Sequence, residues 1–482
     1  MHSRLFAVTL FHAIFGSHGD ILATTYNLLT VPILETFQTS INQYGEGAQG
    51  LLYSLNGSSY FIGMFLGAVI SSYCTNKLGR KLTAIVLKNI FCIIGGLLMI
   101  VSKHYISFPL FIAGNVFTGI SMALKHIMFM YLSESVPVKY VGFISLTYST
   151  GNFLMAFIAI FFTLPNVFGN LDCWQYFPAC SIGLAGLHLI ISLFFPESPK
   201  HLYISKKNSV ASRLSLQFYH GKSVNFEEVE ENFSIEMAIT AAGTSSFTQL
   251  LEAPTMRRIF LIILGVSFIP TFSAFNIKAA YLTSIYIAAS FSQYEATNAI
   301  IFTNLFALPF LFISPFLIER VGRKSLLTLI AILCMFEWVF FIVSQQLEKT
   351  LMQPTLIFAF SFGEAAKNFG LLTLQPLLIA EMCPHTIRGL INQLTLIIAI
   401  FTAVLINFLF PVVHAVFGIG LPIAMLILMF ILTIILHKIL PETMGKTTNE
   451  TYALIFKKLR KVNFIHHNYG STDDSSSRSS DL

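Results

Sequence analysis

Twelve apolar runs of membrane-spanning length follow one another along this chain, the first at 5–24 and the last at 416–440. They decide what it can fold into. A helix needs about 20 mostly apolar residues to cross roughly 30 Å of hydrocarbon, and it satisfies its own backbone polar groups on the way. At 55% hydrophobic and 11% charged residues over 482 positions, with a mean hydropathy of +0.72, too little polar surface remains to clothe a water-soluble body. Gly and Pro inside the runs would break a soluble helix, but neighbouring membrane helices re-satisfy the groups they free. The first run carries His12, His18 and Asp20 and lacks a small-x-small cleavage site, so it reads as a retained helix and not a signal peptide. The fold class expected is an all-α membrane protein of twelve transmembrane helices.

Orientation follows from the basic residues. With the N-terminus inside, 23 of the 29 Lys and Arg fall in inner segments, Lys139 among them, and only Lys103 and Lys349 fall in outer loops. Both termini are therefore expected in the cytoplasm, and the net charge of +6 reflects topology, with no nucleic-acid partner implied. The six cysteines show no metal spacing, and no disulfide is expected between Cys173 and Cys180. The sequence holds no nucleotide-binding loop, metal cluster or catalytic triad. An enzyme, a bound cofactor or metal, and transport driven by this chain's own nucleotide hydrolysis are all excluded on that reading.

The long segment 197–257 divides the runs into six and six. Its mixture of charge and spaced apolar residues predicts short amphipathic helices on the inner face. The division gives an N-terminal bundle at 1–196, the linker at 197–257, a C-terminal bundle at 258–440 and a cytoplasmic tail at 441–482, which ends in a Ser/Asp-rich stretch. The halves then match in order. "NKLGRK" at 76–81 pairs with "ERVGRK" at 319–324, "YLSESVPVKYVG" at 131–142 with "LIAEMCPHTIRG" at 378–389, and "PESP" at 196–199 with "PETMG" at 441–445. The three offsets are nearly equal, which points to parallel six-helix repeats and to a transporter whose halves rock about a site near the midplane.

The repeated knots carry Lys77, Arg80, Glu134 and Glu197 in one half, and Glu319, Arg320, Arg323, Glu381, Arg388 and Glu442 in the other. For a single basic loop, positive-inside anchoring would explain the cations. Repetition together with matched carboxylates favours an inner-gate charge network in which Arg80 reaches Glu134 and Glu197, and Arg323 reaches Glu381 and Glu442.

These motifs, with "FFPESPK" and "LPETMGKT", resemble those of the sugar porters of the major facilitator superfamily, in particular the animal facilitative hexose transporters. The resemblance runs from Lys77 to Thr447. It implies two pseudo-symmetric six-helix bundles, alternating access, and a hexose or related polyol as substrate. It also marks departures. In the first half Asn115 and Val141 stand where the family usually has Arg, which implies a weaker latch there, whereas Arg388 is kept. At the sugar site the paired Gln of helix seven aligns with Pro270 and Thr271, the helix-ten Trp with Pro376, and the helix-eleven Asn-Trp pair with Ala399 and Ile400. The remaining candidates for binding a solute are Asn276 and Tyr281, Asn304 one turn from Ala307, Ser149 at the helix-five Gln position, and Gln375.

Ionisable groups stand in the spans instead. Each costs about 2.5–3.5 kcal/mol at a helix centre on insertion scales, so Asp20, Lys278, Glu364 and Lys367 are candidates for a proton or charge relay. Lys88, Lys125, His126, His188 and Glu337 lie in spans too. The function expected is facilitative uniport of a small polar, sugar-like solute by a plasma-membrane protein, for which a monomer in the lipid bilayer suffices. Proton-coupled symport of a non-sugar or charged solute is the alternative. A sensor without flux is a third reading, disfavoured by the short region after Pro441.

Overall fold

The computed structural model describes residues 3–137, 141–221, 225–242, 253–383, 385–444, 446, 450–451 and 454–455. Lys139, most of the tail at 441–482 and the side chain of Glu319 lie outside the described residues. Among those described, all regular structure is helical. The first half holds α1 (Leu5–Leu28), α2 (Glu46–Leu78), α3 (Leu82–His104), α4 (Phe108–Ser135), α5 (Val141–Phe162) and α6 (Tyr176–Ser192). Three short helices follow: α7 (Pro199–Ile204), α8 (Ser209–His220) and α9 (Phe226–Ala242). The second half holds α10 (Pro254–Ala288), α11 (Gln293–Arg320), α12 (Arg323–Ser344), α13 (Lys349–Ala366, then Leu374–Met382), α14 (His385–Phe417) and α15 (Gly420–Ile439).

This is the twelve-helix major facilitator fold. Eight spans are long and apolar enough by composition alone, and α5 and α6 contribute shorter apolar stretches. The other two, α2 and α13, are diluted by polar residues that the protein itself shelters, such as Ser54, Ser58 and Ser59 on α2 and Ser361 and Glu364 on α13. A helix clothed by its neighbours does not need to be apolar all round.

The spans α1, α10 and α13 are broken. In α10, Pro270 removes a backbone donor, and the helix stops at Phe272 before restarting at Phe275. The Trp338 Nε1–H of α12 donates to the freed Phe272 carbonyl at 2.9 Å, and Ser273 Oγ donates to the Pro270 carbonyl at 2.9 Å. In α1 the break falls at Gly16–Ser17, where Lys88 Nζ donates to the Gly16 carbonyl at 2.9 Å. In α13 a π-helical turn, Lys367–Leu371, contains Gly370 at φ +115°, a backbone angle that a Cβ resists.

Each half has its own apolar core near the motif loops, built around Leu124, Tyr131 and Tyr219 in the first and Ile263, Leu327 and Met382 in the second. The halves meet where α2 runs along α14, where α5 touches α11, and where the second segments of α1 and α10 cross. Among the described residues, the polar bonds identified between them lie at the end opposite the motif loops. Asn27 Nδ2 donates to the Lys278 carbonyl, Thr283 N–H donates to Asn27 Oδ1 at 3.0 Å, and Gln293 Nε2 donates to the Gly169 carbonyl at 2.9 Å.

The α2–α3 turn depends on Gly79. Its φ of +106° with ψ of 172° lies in a region that is essentially glycine-only, and a Cβ there would stand 2.5 Å from Glu197 Oε2. Gly79→Ala is expected to lower stability by about 1–3 kcal/mol, the cost of holding a side chain in that region. An unfolding midpoint in detergent equal to that of the parent protein would contradict this account.

Candidate functional site

The knots build the same device twice. Arg80 opens α3 and turns its guanidinium onto Glu134 at the end of α4, with Nε to Oε2 at 3.1 Å and Nη2 to Oε1 at 3.3 Å. Arg323 opens α12 and does the same with Glu381 at the end of α13, with Nη2 to Oε1 at 2.7 Å and Nε to Oε1 at 2.9 Å. A hydroxyl completes each carboxylate, Ser198 Oγ donating to Glu134 at 2.6 Å and Thr443 Oγ1 to Glu381 at 2.5 Å.

The second carboxylate of each set does not take the arginine side chain. Glu197 accepts the backbone N–H of Lys81 at 2.9 Å, and Glu442 accepts those of Arg323 at 2.7 Å and Lys324 at 3.3 Å. Both sit at helix N-termini, where unsatisfied N–H groups and the helix dipole favour an anion. The glycine of each "GRK" leaves room for this, because the carboxylate lies against the α-carbon of Gly79 in one half and Gly322 in the other. Burial pushes the Glu197 carboxyl up, against the pull of the Ser198 and Lys81 N–H groups and of Arg80. Burial opposes ionisation of Glu442 as well, but the N–H groups of Met444, Arg323, Lys324 and Thr443 prevail and hold it below the usual carboxylate range.

The other predicted gate residues sit at the edge of this device. Lys77 Nζ donates to Tyr73 Oη at 2.7 Å, Arg320 is exposed at the end of α11, and Arg388 Nη2 donates to the Cys383 carbonyl at 3.2 Å.

Within the spans the charges are gathered into groups. Asp20 of α1 is ion-paired with Lys125 of α4, whose ammonium lies 5.9 Å from the centre of the Tyr148 ring on α5. In the second half Lys278 of α10 lies 2.7 Å from Glu337 of α12 and 3.2 Å from Glu364 of α13, and Glu364 also pairs with Lys367 one turn on. The exposures of Lys278, Glu337 and Glu364 are 4%, 1% and 8%, and only Lys367 reaches out further, towards the Phe153 ring of α5 at 5.8 Å.

Among the described residues, the candidate solute ligands bond to other groups and not to one another. Tyr281 donates to the Asn407 carbonyl at 2.8 Å and stacks on Phe410, Gln375 Nε2 donates to Thr395 Oγ1 at 2.9 Å, and Asn304 donates back to Ile300 of its own helix at 2.9 Å. Asn276 is buried just past the break in α10, and Ser149 is exposed on α5.

The model of the Sugar (and other) transporter family matches residues 5–454. The chain belongs to that family. It is 28% identical over 343 residues to the human solute carrier family 2, facilitated glucose transporter member 5, covering 69% of this chain and 68% of that protein. The horse member 5 is 25% identical over 461 residues, covering 94% and 89%. Among solved structures, the inward open conformation of the xylose transporter XylE from E. coli superposes with a TM-score of 0.71 at 20% identity over 93% of this chain and 99% of that one. XylE bound to 6-bromo-6-deoxy-D-glucose, a proton:xylose symporter, gives 0.72 at 20% identity over 94% and 99%. The protein is a multi-pass membrane transporter of the alternating-access type and not an enzyme.

Several residues of this transporter's site escape sequence reasoning. Ser198 and Thr443 directly follow Glu197 and Glu442 in matching motifs, so the repeat itself held the signal. His201 gave none, yet Arg80 Nη1 donates to its Nδ1 at 2.7 Å. Asn27 was hidden because its partner lies on a distant helix, and Glu337, though noted in a span, gave no sign that Lys278 was its partner. Among the described residues, Cys173 and Cys180 are not joined and no group of three His, Cys, Asp or Glu is placed to hold a metal.

Burial, with Arg80 and Lys206 alongside, pushes the His201 imidazole down to about 4 from 6.5. The unfolded chain therefore takes up this proton first as pH falls. The stability His201 permits is fully present above pH 6.5 and is lost as pH falls towards about 4. His201→Gln is expected to flatten the acid side of a melting-temperature profile over that window. Parallel profiles for the two proteins would rule the residue out as the source.

Proposed function

We propose that the protein carries a hexose or related sugar across the plasma membrane by facilitative alternating access, with the motif loops and both termini on the cytoplasmic side. The observation that carries this is the duplicated Arg–Glu–hydroxyl device, supported by the glucose-transporter names of the relatives. On this reading the conformation described is open to the cytoplasm, which is supported by the outer-end position of the described bonds that join the halves. The device around Arg80 and Arg323 forms the inner gate. It holds each half rigid at that end while the halves separate and rejoin. Asn276, Tyr281, Asn304, Gln375 and Ser149 supply the polar contacts to the sugar. Uptake of labelled hexoses into proteoliposomes tests the proposal. Saturable, stereoselective flux without an imposed ion gradient is expected, and binding without flux would instead favour a sensor.

A second reading, proton-coupled symport, is favoured by one observation. Asp20 and Lys125 are paired on α1 and α4 with their side chains part-exposed, at 18% and 15%. A carboxylate there can trade its lysine partner for a proton as the helices move. Under coupling, Asp20→Asn abolishes the pH dependence of uptake while leaving exchange of solute between the two sides. Uptake that is flat between acid and neutral pH in both the parent protein and Asp20→Asn leaves uniport standing.

A further inference from the structure

At Lys278 the buried charges of the second half meet a bond between the halves. Its side chain contacts Glu337 on α12 at 2.7 Å and Glu364 on α13 at 3.2 Å. Its backbone carbonyl accepts from Asn27 Nδ2 on α1, whose Oδ1 takes the N–H of Thr283 at 3.0 Å. Asn27 thus hooks the second segment of α10 at two points five residues apart, and Lys278 fastens that same segment inward.

The positions of the breaks give this arrangement its consequence. Lys278 is the fourth residue of Phe275–Ala288, just past the α10 break. Glu364 stands six residues before Gly370, where α13 breaks. The two helix segments linked by the lysine are each bounded by a break. The first half has a counterpart of opposite polarity, since Asp20 is the third residue past the α1 break and pairs with Lys125 on α4, the repeat-mate of α13. In both halves, then, the first and fourth helices are joined by an ion pair just beyond the break of the first.

We propose that Lys278 is a positioning residue of the transport cycle. It makes the second segment of α10 and the first segment of α13 move as one body about the breaks at Ser273 and Gly370, a body that Asn27 holds against the first half in the conformation described. This rests on the alternating-access reading above and not on the identity of the solute. The test accordingly reads conformation alone, in purified protein, so that an absence of sugar flux leaves it intact.

The probe is Thr283→Cys in a Cys173→Ser, Cys180→Ser background, at a side chain that is fully buried here. Its rate of maleimide labelling reports release of the α10 segment. Asn27→Ala removes two hydrogen bonds and is expected to raise that rate about tenfold. Lys278→Met with Glu337→Gln removes one buried cation and one buried acid together and leaves the Glu364–Lys367 pair matched. In that background baseline labelling is expected to be already raised, and Asn27→Ala to add less than about twofold. An undiminished tenfold effect of Asn27→Ala in both backgrounds would overturn the proposal, because Lys278 would then be filling space without transmitting the hook. Should the double variant fail to fold, hydrogen exchange of Asn27→Ala alone decides. Faster exchange in Phe275–Ala288 and in 356–366 together supports one body, and a change confined to α10 refutes it.

Discussion

A charge inside a bilayer has to find its partner within the protein, and this requirement organises the interior of the molecule. Desolvation of an ammonium or carboxylate is repaid only by close opposite charge and by hydrogen bonds to what remains. Lys278, Glu337, Glu364 and Lys367 accordingly form a group of net zero charge spread over α10, α12 and α13. Asp20 and Lys125 form another over α1 and α4. Each group joins helices that are far apart in sequence, so satisfying the charge also fixes which helix lies beside which. Breaking one partner strands the other, and this makes such groups effective fasteners even where their net contribution to stability is small.

At the motif end the same electrostatics acts through helix termini. Glu197 and Glu442 accept backbone N–H groups at the starts of α3 and α12, which ties the chain following α6 and α15 to the third helix of each half. Glu134 and Glu381 take the neighbouring arginines. Every one of these bonds stays inside its own half. The described polar bonds between the halves are few and lie at the other end, while the long contact of α2 with α14 includes the Phe65–Phe401 ring pair at 5.6 Å. Two bodies stiff at one end and joined through sliding apolar contacts and a few directional bonds are suited to rocking, because separation at the motif end keeps the Arg80–Glu134 and Arg323–Glu381 pairs.

Much of this was legible in the sequence because duplication repeats a message. One basic loop says little, but "NKLGRK" and "ERVGRK" followed by carboxylates at matched offsets locate Arg80 with Glu134 and Arg323 with Glu381. The helix-terminal role of Glu197 and Glu442 was not legible, since a motif shows which residues are present and not whether a carboxylate meets a side chain or a backbone N–H. The contacts away from the motif end were harder still. In a helix apolar on nearly every face no period marks the side turned to protein, so Glu337 gave no sign that it faced Lys278, and Asn27 none that it reached α10. His12 and His188, 2.9 Å apart between Nδ1 and Nε2, likewise lie on helices at opposite ends of their half's sequence.

The first half carries an imbalance that the second does not. Lys88 is buried at 2% exposure, donates to the Gly16 carbonyl at the α1 break, and has no described carboxylate within ion-pair distance. With Asp20 ionised, one acid faces two lysines across α1, α3 and α4. Lys125 is the part-exposed member, so it is the one free to turn towards water or a solute oxygen, whereas Lys88 stays committed to the hinge of α1. In the second half both lysines of the group around Lys278 have a carboxylate within ion-pair distance.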